Sequence, residues 1–400
     1  SFAQQRLWFL AQLEPGNPFY NIPGAIRLQG QLNQQALHDS LNEILRRHEV
    51  LRTNFQTVAG QVIQVISSVT LISFPIIDLS ELTGEEQEAL VKQLAQTEAQ
   101  QPFNLETDRM IRAKLLRLDQ HEHVLLLTFH HIASDGWSIG VFVSELSALY
   151  CAFCNGQISP LAELPIQYAD FAAWQTQWLT ADVLDSQLAY WQNQLQDAPA
   201  VLELPTDYPR PAIQTFRGAN YTFQISPQLT VALQNFSQQQ GCTLFMTMLA
   251  AFNTLLSRYS GSEDIVVGSP IANRNHAQIE ELIGFFVNTL VLRTKLESNL
   301  TFEQLLTQVR EVALEAYAHQ DLPFELLVEK LQPQRSLSHT PLFQVMFVLQ
   351  NAPMSEFELP GLNLSVAVSD SSTAKFDLTL FVEEVNSGLK ATFEYNTDLF

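Results

Sequence analysis

The segment HVLLLTF at residues 123–129 constrains the fold more than any other stretch of the chain, because nearly all of its side chains are apolar. Successive side chains of a β-strand point to opposite faces of the sheet, so a strand of this composition needs cover on both faces. Ser-Asp-Gly at residues 134–136 breaks the strand, and a helix is predicted to follow. Its inner stripe consists of Val143, Leu146, Tyr150 and Phe153. The segment therefore predicts a buried strand of an α/β protein.

Helical and strand patterns alternate along the whole chain, beginning with an amphipathic helix at residues 33–48 and an extended stretch after it. A length of 400 residues exceeds one ordinary core, so two lobes are expected. An aromatic cluster followed by LPTDYPRP lies between about residues 164 and 211, and its prolines oppose helix and central strand. We place the lobe boundary there, with an N-terminal lobe at 1–175 and a C-terminal lobe at 176–400.

Composition excludes several kinds of partner. The formal charge of −21 opposes binding to nucleic acid and to anionic membranes. No stretch approaches the roughly 18 uninterrupted apolar residues that a membrane span needs. Cys151 and Cys154 form a C-x-x-C within a helical pattern, and no second ligand pair follows, so we expect no metal site. With Cys242 they make no disulfide framework, which favours a reducing cytoplasm.

The most informative motif is HHIASDG, which contains His130, His131, Asp135 and Gly136. Only one of two consecutive strand histidines can face a given cleft, so the other must pack behind it. A histidine, a carboxylate and the free N–H groups of a helix N-terminus are the parts that an acyl-transfer site needs. The alternative is a pair of core histidines whose hydrogen bonds go to the backbone.

This motif resembles the HHxxxDG active-site motif of nonribosomal peptide synthetase condensation domains, relatives of chloramphenicol acetyltransferase. Six further segments resemble that family in order along the chain: SFAQQRLWFL, RRHEVLRTNF, YADFAAW, IGFFVNTLVLR, AHQDLPFELLVEKL and SLSHTPLFQVMFVLQN. The resemblance implies two chloramphenicol-acetyltransferase-like α/β sandwich lobes arranged as a V-shaped pseudo-dimer, with a channel between them. It also implies that the C-terminal lobe continues beyond FEYNTDLF, so that the chain is a piece of a longer protein.

The resemblance implies a role for each motif residue. His131 faces the substrates, where it takes a proton from the attacking amine or positions that amine, while His130 packs behind it. Asp135 is a structural anchor, for which Arg47 and Arg52 are the candidate partners. Gly136 leaves room for the amine and contributes a backbone N–H group. The expected channel residues are Trp137, Ser138, Trp174 and Asn288.

The implied reaction is peptide-bond formation between two carrier-bound thioesters. No cofactor is expected to be bound covalently, because the substrates arrive on 4′-phosphopantetheine arms of donor and acceptor carrier domains, next to an adenylation domain. The intact HHIASDG motif favours the subtype that joins two L-configured residues. Two alternatives stay open: a catalytically inactive gating or binding domain of the same fold, and a stand-alone acyltransferase that uses a coenzyme A thioester.

Overall fold

The computed structural model describes residues 1–297, 299–333, 336–350, 359–367, 373–385 and 387–400. The chain divides into two compact units. Unit 1 consists of Ser1–Trp178, Arg274–Phe286 and Ala352–Asp370, and unit 2 consists of Leu179–Asn273, Val287–Asn351 and Ser371–Phe400. The first unit thus ends near the expected lobe boundary, but it also includes two segments from the second half of the sequence. The predicted division at 175/176 differs from this arrangement, because it assigns every residue after 175 to the C-terminal lobe.

Helices and strands alternate through both units. The helices are α1 Phe2–Leu13, α2 Gln34–Arg47, α3 Gly84–Gln100, α4 Gly136–Cys154, α5 Tyr168–Trp178, α6 Ala181–Gln194, α7 Pro227–Gln239, α8 Leu244–Ser260, α9 Ala277–Glu280, α10 Phe302–Ala318 and α11 Phe324–Leu331. The strands are β1 Asn21–Gly30, β2 Thr53–Val58, β3 Gln61–Ile66, β4 Ile76–Asp78, β5 Ile111–Arg117, β6 Glu122–His130, β7 Gly218–Ile225, β8 Asp264–Ile271, β9 Asn288–Lys295, β10 Val345–Gln350, β11 Leu362–Val366, β12 Leu378–Val385 and β13 Gly388–Asn396.

Unit 1 is built on a five-stranded sheet of order β11-β1-β6-β5-β4, in which only β4 and β5 are parallel. The central strand β6 is the predicted buried strand. Its residues Leu125, Leu127 and Phe129 belong to the core that the sheet forms with α2 and α4. The alternate residues Val124 and Leu126 pack in a second core with α3. The prediction of cover on both faces is therefore confirmed, because the sheet carries a packed core on each side.

Helix α4 starts directly after the turn that follows β6. Within the described residues it alone is long and apolar enough to cross a membrane by length and composition. Phe142, Leu146 and Leu149 of this helix are buried in the unit 1 core. Its apolar character is therefore accounted for by packing in unit 1.

Unit 2 contains a six-stranded mixed sheet of order β7-β13-β12-β10-β8-β9. Its core lies between this sheet and helices that include α8, whose Leu249, Phe252 and Leu256 are buried. The segments FDLTLFVEE and LKATFEY on either side of residues 386–388 predict a final hairpin, and the antiparallel pairing of β12 with β13 confirms it. Asn386, at which the hairpin turn was predicted, lies outside the described residues. The α/β class expected from the alternating pattern is confirmed in both units.

Helix boundaries follow the sequence signals closely, but the stretch after α2 does not. Asn33 caps α2 by accepting a hydrogen bond from the N–H of Ala36, and Thr301 caps α10 in a capping box with Gln304. The extended stretch predicted after α2 is wrong in its first part, because Glu49–Arg52 forms a 3₁₀ turn and the strand begins at Thr53. The turn forms because α2 ends at Arg47 and β2 must start in a new direction.

Candidate functional site

The two motif histidines take opposite environments at the end of β6. His130 is buried, and its ring contacts those of Tyr20 and Phe103. His131 opens a 3₁₀ turn after the strand and stays half-buried, with the ring of Phe285 edge-on at 5.5 Å between centroids. The structure thus separates the pair into a packed histidine and an accessible one, in the order that the motif implied.

Hydrogen bonding selects the tautomer of His131. Its Nδ1 lies 3.1 Å from the carbonyl oxygen of Ser134. A carbonyl oxygen can only accept, so Nδ1 carries the hydrogen and donates it. In the neutral imidazole, Nε2 then has the lone pair. This is the form that can accept a proton or a hydrogen bond from an amine.

Asp135 is the N-cap of α4 and is almost completely buried, with 2% of its surface exposed. Its Oδ1 accepts hydrogen bonds from the backbone N–H (2.9 Å) and the hydroxyl (2.7 Å) of Ser138. Its Oδ2 accepts a bond from the N–H of Phe286 at 2.9 Å. The carboxylate therefore joins the start of α4 to the segment Arg274–Phe286, which places it as an anchor of the motif turn.

The positive partner of Asp135 is Arg274. Its Nη2 lies 3.4 Å from Asp135 Oδ1, and both side chains are buried. The same guanidinium donates to the carbonyl oxygen of Leu282 and lies over the ring of Phe286. Burial lowers the pKa of Arg274, and the nearby Asp135 carboxylate opposes that shift. An ion pair was predicted for Asp135, and the structure supplies it from Arg274, which lies outside every motif quoted above.

The predicted partners Arg47 and Arg52 are wrong. Arg47 donates from Nε and Nη2 to Glu145 Oε1, at 3.2 and 3.0 Å. Arg52 donates to the carbonyl oxygen of Ser67 and pairs with its own neighbour Glu49. The reason is geometric, because Arg47 meets α4 at position 145, ten residues beyond Asp135, which is about 15 Å along a helix that rises 1.5 Å per residue.

Gly136 and Gly284 differ in what a side chain would meet. A Cβ at Gly136, the first residue of α4, would have nothing within 4 Å, so the space beside it is open. A Cβ at Gly284 would lie 2.1 Å from the ring of Tyr168. Packing thus requires a glycine at 284, whereas the described residues leave the space beside Gly136 unfilled. Asp135 caps the N–H of Ser138, and the first-turn N–H groups of a helix such as α4 have no partner within the helix.

Two of the four expected channel residues have other uses. Ser138 is fully buried, and its Oγ accepts from Arg274 and from the N–H of Gly284 while lying 2.7 Å from Asp135 Oδ1. Asn288 in unit 2 donates to the carbonyl oxygens of Gln320 and Leu322. The polar atoms of these two side chains are therefore occupied in holding loops, and a channel role for either stays a prediction.

The two tryptophans of that set lie at the surface of unit 1. Trp137 is half-buried and donates from Nε1 to the carbonyl oxygen of Glu280 at 2.9 Å. Trp174 is 40% exposed and stacks on Trp178, with ring centroids 5.4 Å apart. Trp137 thus helps to hold the segment that carries Arg274. A channel role for either tryptophan stays a prediction.

Sequence reasoning missed Arg274 and Tyr168 as site residues, and within the segment Arg274–Phe286 it singled out only residues 283–286, as the start of the IGFFVNTLVLR motif. The phenol of Tyr168 donates to the carbonyl oxygen of Phe285 at 2.7 Å. Burial raises the pKa of Tyr168, and the charge of Asp135 raises it further, so the phenol stays a donor. The sequence did indicate that a buried Asp135 needs a cation nearby, but it suggested the arginines of the RRHEVLRT motif for that role.

The described residues contain no group of three or more His, Cys, Asp or Glu side chains that could hold a metal ion.

The model of the condensation-domain family matches residues 1–400. The chain belongs to the condensation-domain family. It is 52% identical over 402 residues to a linear gramicidin synthase of Brevibacillus parabrevis and 50% identical over 400 residues to malpinin synthetase of Mortierella alpina. Each comparison covers all of this chain and 5% of the relative, so the condensation domain spans about a twentieth of the length of these two curated relatives.

Solved structures agree with this assignment. The X-domain from teicoplanin biosynthesis is 30% identical and superposes with a TM-score of 0.88, over 99% of this chain and 89% of that one. The mixed α/β fold of each unit is therefore that of condensation-domain structures, as predicted. Condensation domains of synthetases are acyltransferase-type domains that form amides, which agrees with a site built around an accessible histidine.

Proposed function

We propose that this condensation domain forms a peptide bond between two carrier-bound substrates. The donor is an aminoacyl or peptidyl thioester, and the acceptor is the α-amine of an aminoacyl thioester. Both are carried on 4′-phosphopantetheine arms of carrier domains, with an adenylation domain as neighbour. The observation that carries the proposal is the tautomer of His131, whose Nδ1 donates to Ser134 and leaves the lone pair on Nε2, close in sequence to an open helix N-terminus at Gly136.

In the proposed reaction the acceptor nitrogen attacks the thioester carbonyl carbon, forming the C–N bond. His131 Nε2 accepts the proton of the amine or holds the amine by a hydrogen bond. First-turn N–H groups of α4, including that of Gly136, stabilise the developing oxyanion. The C–S bond then breaks, and the thiol of the donor arm leaves with a proton. Asp135 and Arg274 hold the turn and do not react.

The ionisation of the acceptor limits how much proton removal can contribute. An α-amine has a pKa of about 8, so roughly a tenth of it is already neutral at pH 7. A thioester is an activated acyl group, and orientation of the two reactants supplies a large share of the rate in such reactions. We therefore include both roles of His131, base and positioning group, in the proposal and separate them by experiment.

Substrate and partner details rest on the resemblance. We propose the subtype that joins two L-configured residues, because HHIASDG is intact. Carrier and adenylation domains are proposed as neighbours because the chain spans only a small part of its synthetase relatives. A cytoplasmic location stays a prediction from the unpaired cysteines. A binding-only domain and a coenzyme A-dependent acyltransferase are outcomes of the test below.

The test is single-turnover condensation with both carrier-bound substrates preloaded, followed from pH 6 to 9 for the wild type and His131→Gln. If His131 is the base, the rate falls as the pH drops through the imidazole pKa, and His131→Gln loses roughly 10²-fold or more. If it positions the amine, the profile follows the amine near pH 8, and the Gln variant keeps much of the activity.

The same substitution at His121, an exposed histidine on the turn before β6, is the matched control and should leave the rate unchanged. Absence of dipeptide with the wild type would favour the binding-only domain. Turnover with a free coenzyme A thioester, but not with carrier-bound donors, would favour the stand-alone acyltransferase.

A further inference from the structure

A buried polar network in unit 1 takes no part in the reaction described above. His48, the last residue before the 3₁₀ turn, is 1% exposed. Its Nε2 lies 2.9 Å from Glu145 Oε2, while Oε1 of the same carboxylate receives the two bonds from Arg47. Its Nδ1 lies 3.2 Å from the backbone nitrogen of Ile283. One imidazole therefore connects α4 to the segment Arg274–Phe286.

The partners of His48 determine where its hydrogen lies. The N–H of Ile283 can only donate, so Nδ1 must accept and carries no hydrogen. Nε2 then has the hydrogen and donates it to Glu145. Burial works to raise the pKa of Glu145, but hydrogen bonds from His48 and Arg47 lower it below the ordinary value, so the group is a carboxylate and an acceptor. The network thus holds the neutral imidazole in one tautomer.

This tautomer determines the position of the chain beside His131. Ile283 comes two residues before Phe285, whose ring packs edge-on against the His131 imidazole. The N–H of the next residue, Gly284, donates a hydrogen bond to Ser138 Oγ at 3.0 Å. Three consecutive residues, 283–285, are therefore each held by a buried side chain: His48 accepts from Ile283, Ser138 accepts from Gly284, and Tyr168 donates to the carbonyl oxygen of Phe285.

We propose that His48 is a positioning residue for His131, acting through the N–H of Ile283 and the ring of Phe285. The proposal rests on the proposed function of His131. The part of His48 that matters is the acceptor at Nδ1, while the Nε2–H and Glu145 serve to keep that acceptor in place. Losing the acceptor lets residues 283–285 move, and small displacements of groups beside a reacting centre lower rates by up to about 10²-fold.

Two substitutions separate the halves of the imidazole. In His48→Asn the amide oxygen can take the place of Nδ1 and accept from Ile283, but the reach to Glu145 is lost. In His48→Gln the amide nitrogen can take the place of Nε2 and donate to Glu145, but nothing replaces the acceptor for Ile283. Both variants remove the same ring, so the loss of packing is shared and the hydrogen bonds differ.

The measurements are single-turnover dipeptide formation at saturating acceptor, the acceptor concentration at half-maximal rate, and hydrogen exchange at the ¹⁵N-labelled amide of Ile283. We expect His48→Gln to exchange that amide at least about tenfold faster and to condense at least about tenfold more slowly, with the half-maximal concentration within about twofold of the wild type. His48→Asn should keep both the protection and the rate within about threefold of the wild type.

Wild-type protection of Ile283 in His48→Gln, or equal rates for the two variants, would overturn the positioning role while leaving the proposed function intact. Failure of the wild type to form dipeptide would instead overturn the proposed function and this role with it. In that case the exchange result would still tell whether His48 holds the segment.

Discussion

Removing the carboxylate of Asp135 is the sharpest test of how unit 1 holds its motif turn. In Asp135→Ala the guanidinium of Arg274 stays buried at 8% exposure without its counter-charge. Breaking one side of a buried ion pair costs about 3–5 kcal/mol. In an Arg274→Met background the same substitution removes the helix cap and its hydrogen bonds but also removes a buried carboxylate that has already lost its cation, so it should cost no more than about 1–2 kcal/mol. The two costs should therefore differ by about 2 kcal/mol or more.

The assay is urea unfolding followed by tryptophan fluorescence, which reports mainly on unit 1 because four of the five tryptophans lie there. With a slope of about 3 kcal/mol per molar urea, Asp135→Ala should lower the midpoint by roughly 1–1.7 M. Arg274→Met alone and the double variant complete a double-mutant cycle. The interaction energy of Asp135 and Arg274 is the difference between the costs of Asp135→Ala in the two backgrounds.

Equal costs of Asp135→Ala in the two backgrounds would refute the ion-pair argument. A change below about 1 kcal/mol in the wild-type background would do the same, because no uncompensated charge would then have been left buried. If Asp135→Ala were normally stable but inactive in condensation, Asp135 would have to be moved from anchor to catalyst.

Two further predictions follow from the site. Gly136→Ala should leave the free energy of unfolding within about 0.5 kcal/mol of the wild type and slow condensation, whereas Gly284→Ala should destabilise unit 1 by about 1–3 kcal/mol through the ring of Tyr168. Equal stability losses for the two variants would contradict the interpretation of the open space at Gly136. The pKa of Glu145 in the folded protein lies below its ordinary value of 4.5, so ionised Glu145 stabilises the fold above about pH 4.5. This stability is lost as the pH falls through the folded pKa. Between about pH 7 and pH 3 the urea midpoint should therefore fall less steeply for Glu145→Gln than for the wild type.

Features that depend on local patterns could be predicted from the sequence. The run at 123–129 requires cover on both faces whatever the topology, and the structure provides it with cores on each side of β6. Likewise Asn33 and Thr301 cap helices through contacts three residues away. The separation of His130 from His131 was expected from alternation along a strand, whereas in the structure the strand ends at His130 and His131 opens the 3₁₀ turn after it. The V-shaped arrangement of the two lobes stays a prediction.

Features that depend on pairing over long sequence separations could not be predicted. A buried Asp135 indicates a cation, but nothing in the pattern chooses among 21 basic residues, and the partner lies 139 positions away. Ser138 and Asn288 were placed in a channel because they are polar residues within motifs. Their partners, which include backbone groups of Gly284 and Leu322, become apparent only when the loops are in place.

The segment Arg274–Phe286 belongs to unit 1 although the residues before and after it belong to unit 2, and its contacts with Asp135 give a physical reason for this. Asp135 lies buried at the start of α4, and the arginines nearest to it in the motifs are committed elsewhere, Arg47 to Glu145 and Arg52 to Ser67. The segment Arg274–Phe286 brings the missing cation, together with a backbone N–H for the second carboxylate oxygen. It also brings Phe285 to His131. Arg274, the cation that pairs with Asp135, and Phe285, the ring beside His131, thus lie on the same segment. A substitution that loosens this segment should therefore lower both the stability of unit 1 and the rate of condensation.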